Sequence, residues 1–432
     1  MRRRLLVAVL LLALALGGAA LGLWLWDRSA TQDVRGSSTV EFDTSEAPGS
    51  ETTQSPSSGG ADTEPSPAQE VVWPTYRFDA ERTGFAAGIE IRPPFRKRWT
   101  VRGRNLIEFP PVIAYGRLYV GTNPGRFLAI DAASGEIAWE KRFGRCIAAS
   151  PTVADGVVYQ PLMDPSPCGN PDRDAPGYIV ALDADTGREL WRFQAGVIES
   201  SPVLVDGLLY FGSWDRKVYA LDVRTRTPRW TFETGDEVKA APAYADGVVY
   251  VGSYDGKVYA LDARTGKELW ATGAQAGVGG AGNFYATPAV AYGRVFIGNT
   301  DGKVYAFGAR SGDLLWSQST GGYVYSSAAV WDRTVYVGSY DGNLYALDAA
   351  TGDVRWTFPA QGRISGAATV IDGVVYVSTL ERRTFGVDAR SGRRVWSFPD
   401  GKYTPIVADR ERAYVVGYTR IYGLTPVQSG GR

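Results

Sequence analysis

GSYDGKVYALDARTGKELW occupies residues 252–270 and GSYDGNLYALDAATGDVRW residues 338–356, and the two agree at 13 of 19 positions. Asp255-Gly256 and Thr265-Gly266 have the character of turns, because a tight reverse turn needs positive φ, which Gly and Asp tolerate. Between them lies the short apolar run KVYALD, and ELW opens another after the second turn. The stretch therefore reads as the second, third and opening fourth strands of one antiparallel unit.

The unit recurs. Trp99, Trp139, Trp191, Trp230, Trp270, Trp316, Trp356 and Trp396 are spaced by 40, 52, 39, 40, 46, 40 and 40 residues, which is a repeat period. Four short strands every 40 or so residues leave no room for helical crossovers and predict an all-β, eight-bladed β-propeller of four-stranded antiparallel blades. Seven units end in Trp between residues 101 and 396, and residues 403–426 supply three more strands. FRKRWTV, residues 95–101, is left to complete the eighth blade from the N-terminus, which closes the ring and removes an exposed sheet edge. The propeller is expected over residues 71–426, followed by a disordered tail at 427–432.

The pattern A-x-D-x-x-[TS]-G-x-x-x-W is complete at residues 129–139, 181–191, 260–270 and 346–356, and at 386–396 with Gly386 in place of Ala. Two units drift, with Arg226 where Gly is expected and Gly308 where Asp is expected. This pattern resembles the tryptophan-docking motif of pyrroloquinoline-quinone (PQQ) type propellers, and WPTYRFDAERTG at 73–84 is similar to their lead-in. The resemblance implies that each Trp is a plate between neighbouring blades, its N–H on a backbone carbonyl and the small residue ten positions earlier leaving it room. The quinoprotein dehydrogenases of this superfamily hold PQQ with Ca²⁺ over the axis, the alcohol-oxidising ones against adjacent half-cystines, and the soluble sugar-oxidising branch uses a catalytic His. Here the only cysteines, Cys146 and Cys168, stand 22 apart and histidine is absent. The chain thus resembles the non-enzymatic BamB-type envelope propellers more than the dehydrogenases.

Composition narrows function further. Lys plus Arg and Asp plus Glu both number 46, so no cationic excess is available for a nucleic-acid backbone. The lack of His removes the usual general base and the commonest zinc ligand. Residues 1–26 join MRRR to the 22 uncharged residues 5–26, about 33 Å of helix, and are expected to be a cytoplasmic basic start and transmembrane signal anchor. A cleaved signal peptide is the competing reading; both export the protein. Residues 27–70 hold nine acidic and two basic residues in a Ser/Thr/Pro-rich tract and are expected to be a disordered linker.

Function should lie where the repeats disagree. Counting back from each first strand places Glu108, Glu199, Lys239, Tyr285, Tyr325 and Lys402 at the axial mouth, with Arg363 further out, as a candidate ligand-binding funnel. No catalytic set and no metal site is predicted. The insertion at 160–177 carries Cys168, which in an exported protein is expected to bond Cys146. GVGGAG, residues 277–282, matches a dinucleotide-loop string but precedes an inner-strand pattern, and is expected to be a lengthened loop. The reading is a membrane-anchored, extracytoplasmic, monomeric propeller that scaffolds envelope proteins or a cell-wall or sugar ligand without a cofactor; the alternative is a PQQ- and Ca²⁺-dependent alcohol or sugar dehydrogenase or a PQQ or sugar sensor.

Overall fold

The computed structural model describes residues 17–22, 31–48, 70–169, 172–276, 280–404 and 406–427. Eight antiparallel sheets form blades 1 to 8 in chain order. Blades 2 to 7 are each four consecutive strands, and blade 8 pairs Phe95–Arg102 with Arg420–Pro426, Ala413–Val416 and Ile406–Ala408. Trp99 faces Gly423 across that seam, so the ring is closed by the N-terminal strand as the orphan tryptophan required. Blade 1 gains a fifth strand, Val71–Trp73, on its axial edge. The core is distributed between blades: Trp316 and Phe296 of blade 5 share one cluster with Val337 and Leu347 of blade 6.

The tryptophan plates behave as a ring lock. Trp139, Trp230, Trp270, Trp316 and Trp356 donate their indole N–H to the carbonyls of Ala184, Ala263, Ala309, Ala349 and Ala389, each one blade onward. The room for a plate comes from two small residues, the one ten positions earlier and a glycine of the next blade. Ala260 is the cross-strand partner of Trp270 in its own blade, and the seat for the plate is the next blade's turn glycine. A methyl group on Gly312 would stand 2.6 Å from the Trp270 ring, and one on Gly352 2.8 Å from the Trp316 ring. The repeated glycine therefore serves both its own turn (φ +75° at Gly312) and the neighbour's tryptophan. Blade 3 has Arg226 at this place, φ 62°, and Trp191 keeps the own-blade tyrosine contact of the other plates, its ring 5.8 Å from Tyr159. The repeated aspartates are turn caps: Asp262 accepts from the N–H and hydroxyl of Thr265, and Asp255 from the N–H groups of Lys257 and Gly235.

The lead-in plugs the axis. Carbonyls of Pro74, Ala80, Glu81, Thr83 and Gly84 accept from Val153, Tyr244, Val290, Val330 and Val370, the inner strands of blades 2, 4, 5, 6 and 7. Inside this turn of chain Arg82, fully buried, donates to Pro242 O, Ser201 O, Pro202 O and Thr75 Oγ1 at 2.8–3.1 Å, and to Tyr76 O. Arg77 donates to Ser327 O and Ala368 O, and to Ala328 O. Burial pulls the Arg82 guanidinium down to about 9, with Asp79 opposing the shift. Two arginines thus collect inner-strand carbonyls that converge on the axis and would otherwise be buried unpaired.

Three N- and C-terminal expectations change or fall outside view. No helix among the described residues is long and apolar enough to cross a membrane; residues 17–22 are helical and exposed, and the rest of the run 5–26 lies outside the described residues. The linker expectation over 27–70 is corrected for residues 31–48, which lie on blades 5 and 6: Ser317 N donates to Val34 O, Asp43 N to Tyr292 O, and Phe42 stacks on Tyr292 at 5.2 Å. The physical reason is that this stretch docks through backbone carbonyls and a few side chains, which its composition does not reveal. Val427 N donates to Pro94 O, and residues 27–30, 49–69 and 428–432 lie outside the described ones.

Candidate functional site

Each funnel residue stands just before an inner strand, at the end of the ring where the inter-blade loops gather. Glu108, Glu199, Lys239, Tyr285, Tyr325 and Ser365 line one axial cavity, and Ser201, Ala241, Thr287, Ser327 and Ala367 form a ring of small residues with them. Two carboxylates from blades 1 and 3 therefore meet, which spacing alone left open. The floor is Tyr76 of the plug against Phe109, edge to face with centroids 5.5 Å apart, and the space left is about 80 Å³.

Lys402 is corrected to the rim, and Arg363, expected further out, stands there too. Arg363 reaches Glu381 at 3.5 Å and lies 5.9 Å from the Tyr340 ring centre. Lys402 sits over Tyr403 and Tyr418, at 4.8 and 4.5 Å, and acts on the cavity only through its charge, which favours ionised Glu108. Both stand on loops outside the tightening inner ring, so their long side chains turn to rim aromatics.

The electrostatics are those of a crowded acidic pocket. Burial, and then the charge of Glu199, push Glu108 up to about 7. Burial also raises Glu199, against the pull of Lys239 and of Tyr285, whose hydroxyl donates to Glu199 Oε1 at 2.8 Å. Lys239 is sandwiched: its Nζ lies 3.8 Å from the Trp214 ring centre and 4.6 Å from that of Tyr254, and 3.1 Å from Glu237 Oε2. Trp214 and Tyr254 were missed by sequence reasoning because they sit in second-to-third-strand turns, SWDR and SYDG, that read as repeat punctuation.

The insertion joins the same site. Cys146 and Cys168 are disulfide-bonded, Cα atoms 5.7 Å apart, and Arg173 beyond them pairs with the nearly buried Glu237 at 2.8 Å. Closing a loop of this length contributes about 3 kcal/mol in the chain-entropy picture. Cys146→Ser/Cys168→Ser is expected to speed amide exchange across residues 160–177 at least tenfold while the thermal midpoint moves by only a few degrees; unchanged exchange there would contradict a pinned insertion. Gly282 ends the glycine string with φ +64° beside Asn299, and Asn283 to Thr287 lead into an inner strand, as expected of a loop; residues 277–279 lie outside the described ones.

A pH test follows. The folded state holds the Glu108 proton more tightly than the unfolded chain does, so between about 4.5 and 7 the native state carries more protons and stability falls as pH rises. Glu108→Gln is expected to raise the denaturation midpoint at pH 8 and to leave it unchanged at pH 4. A gain of equal size at both values would remove the electrostatic explanation.

The residues do not fit PQQ with Ca²⁺. PQQ is a planar tricarboxylate, whereas the cavity is acidic, its lining cation is already paired with Glu237, and its volume of about 80 Å³ is below that of a site for a molecule of this size, on the order of several hundred Å³. Neither half-cystine lines the cavity, and among the described residues no three His, Cys, Asp or Glu side chains are grouped to hold a metal.

Comparison with known proteins agrees with this architecture. The sequence model of the family described as outer membrane protein assembly factor BamB matches residues 93–162, 175–323 and 301–427. A quinohemoprotein alcohol dehydrogenase, ADH-IIG of Pseudomonas putida, is 36% identical over 84 residues, 18% of this chain and 11% of its own length. BamB of Yersinia pestis is 28% identical over 126 residues, 26% of this chain and 28% of its own length. The crystal structure of BamB from Moraxella catarrhalis superposes with a TM-score of 0.62 at 16% identity, covering 77% of this chain and 99% of that one, a likeness of fold.

Proposed function

Because this chain belongs to the family of the outer membrane protein assembly factor BamB, we propose that it is a non-enzymatic binding propeller of the cell envelope, held outside the membrane by residues 1–26 and acting as a monomer. Its partner is an envelope protein or a wall or sugar ligand received at the funnel mouth. The observation that carries this reading is the plugged axis: Tyr76 and Phe109 close the floor, so the mouth is a shallow aromatic dish and not a deep cofactor chamber. On the dish Tyr323, 55% exposed, and Tyr325 and Tyr340 are neighbours at 5.0–6.3 Å. Rigid tyrosines beside an arginine are the side chains that dominate recognition surfaces. The Cys146–Cys168 bond suits an oxidising compartment.

Capture from native membranes with the full chain, beside Tyr323→Ala/Arg363→Ala, tests the proposal. A protein or wall fragment retained by the wild type and lost from the variant is the expected result; identical captured sets would count against the mouth as the contact. Titration with PQQ and Ca²⁺ is expected to leave the absorbance of both components additive. Stoichiometric PQQ binding would reverse the assignment.

A further inference from the structure

The internal repeats act as a control for one another, and blade 5 departs from them where residues 31–48 touch it. Other blades place an aspartate at the second turn, as at Asp262 and Asp348, capping the following Thr. Blade 5 has Gly308 there, and a methyl group on it would stand 2.3 Å from Glu41 Oε2 and 2.4 Å from Ser311 Oγ. Glu41, more than 250 residues away in sequence, thus fills the space an aspartate there would take, its charge acting on Arg294 while its buried Oε2 makes no hydrogen bond among the described residues. Arg294, where blades 4 and 7 have Val248 and Val374, is fully buried and spans the junction. It donates to Ser37 O, Val40 O and Glu41 O at 2.6–2.8 Å and to Ala349 O and Ala350 O on blade 6. The outer strand of blade 5, Leu314–Ser319, reads LLWSQS without a charge, whereas the outer strands of blades 6 and 7 carry arginine. An uncharged outer edge invites pairing unless covered. Here Val34 covers it through Ser317, and Asp33 accepts from the N–H and hydroxyl of Ser319.

We propose that blade 5, with the adjoining turn of blade 6, is a peptide-binding groove for an extended acidic-aromatic segment, and that residues 31–48 occupy it in cis. Its recognition elements are a carboxylate at Asp33, a second at Glu41 and an aromatic ring at Phe42. The segment binds as a ligand does, through a surface written into one blade, and not as a strand of the propeller. This inference does not rest on the envelope reading or on membrane anchoring.

The test uses the full chain with an epitope in place of residues 27–29 and a site-specific protease sequence in place of residues 53–58, so retention or loss of residues 1–26 does not affect it. After cleavage the epitope-bearing fragment is expected to stay with the propeller on immunoprecipitation, and an excess of a synthetic peptide of residues 31–48 to displace most of it. Glu41→Ala/Phe42→Ala is expected to reduce retention at least tenfold. Gly308→Asp should do the same while the propeller stays folded, because that substitution restores the residue other blades carry. Release of the wild-type fragment as fast as that of the variants, or no displacement by the peptide, would overturn the proposal.

Discussion

Arg82→Ala is expected to be among the most damaging single substitutions in the chain, costing about 4 kcal/mol of folding free energy in denaturant titration. The guanidinium serves five acceptors at the axis, contributed by the plug itself and by blades 3 and 4. Its removal leaves buried carbonyls without donors, each worth about 1–3 kcal/mol, with partial relief from ending the burial of a charge. Arg82→Lys should recover little, because one ammonium cannot fork toward acceptors on the plug and on two neighbouring blades at once. The loss should be local before it is global: exchange protection at Val153, Tyr244, Val290, Val330 and Val370, whose N–H groups bond the plug, should fall together. If those amides keep wild-type protection while the midpoint drops, the plug is not what Arg82 stabilises.

The second large effect concerns the ring lock. Trp316 has no exposed surface, spans the clusters of blades 5 and 6 and donates to Ala349 O, so Trp316→Ala is expected to cost about 3–5 kcal/mol. Its seat is equally exacting: Gly352→Ala would bring a methyl to 2.8 Å from the indole while φ stands at +79°, so steric strain and backbone strain add. The double substitution separates these effects. Removing the indole frees the space over Gly352, so Trp316→Ala/Gly352→Ala should cost less than the sum of the two single changes, and strict additivity would mean that plate and seat are not coupled.

Much of this architecture is legible in the sequence because the repeat states it eight times. The tryptophan spacing sets the blade count, and the orphan Trp99 identifies the closing strand. Counting back from the inner strands found Glu108, Glu199, Lys239, Tyr285 and Tyr325 because crowding near an axis fixes which positions face it. The same count misplaced Lys402, whose backbone position reaches the mouth while its side chain turns to aromatics on the rim, where Arg363 also lies as its place further out implied. The plug was visible only as a familiar lead-in; nothing in WPTYRFDAERTG tells that two arginines will collect carbonyls from several blades. Residues 31–48 were hidden by averaging: composition over 27–70 is that of an unpacked chain, yet the partners that hold the segment are mostly its own carbonyls. A signal was present in Gly308, the one second-turn position among the Trp-terminated units where the aspartate is missing.

Docking of residues 31–48 also sets the reach of the molecule. A free linker over residues 27–70 would let a propeller wander a root-mean-square distance of about 35 Å from its point of attachment. With Thr31 bonded to Lys303, the four residues 27–30 allow at most about 18 Å between Trp26 and the ring. Lys303 follows the turn at Asp301 and Gly302, on the same end of blade 5 as the loop leading to Tyr323 and Tyr325. In an anchored chain the aromatic dish would then look toward the bilayer at close range. Its search for a partner would be confined to a thin layer above the membrane, where proteins embedded in that membrane are met far more often than solutes in the bulk.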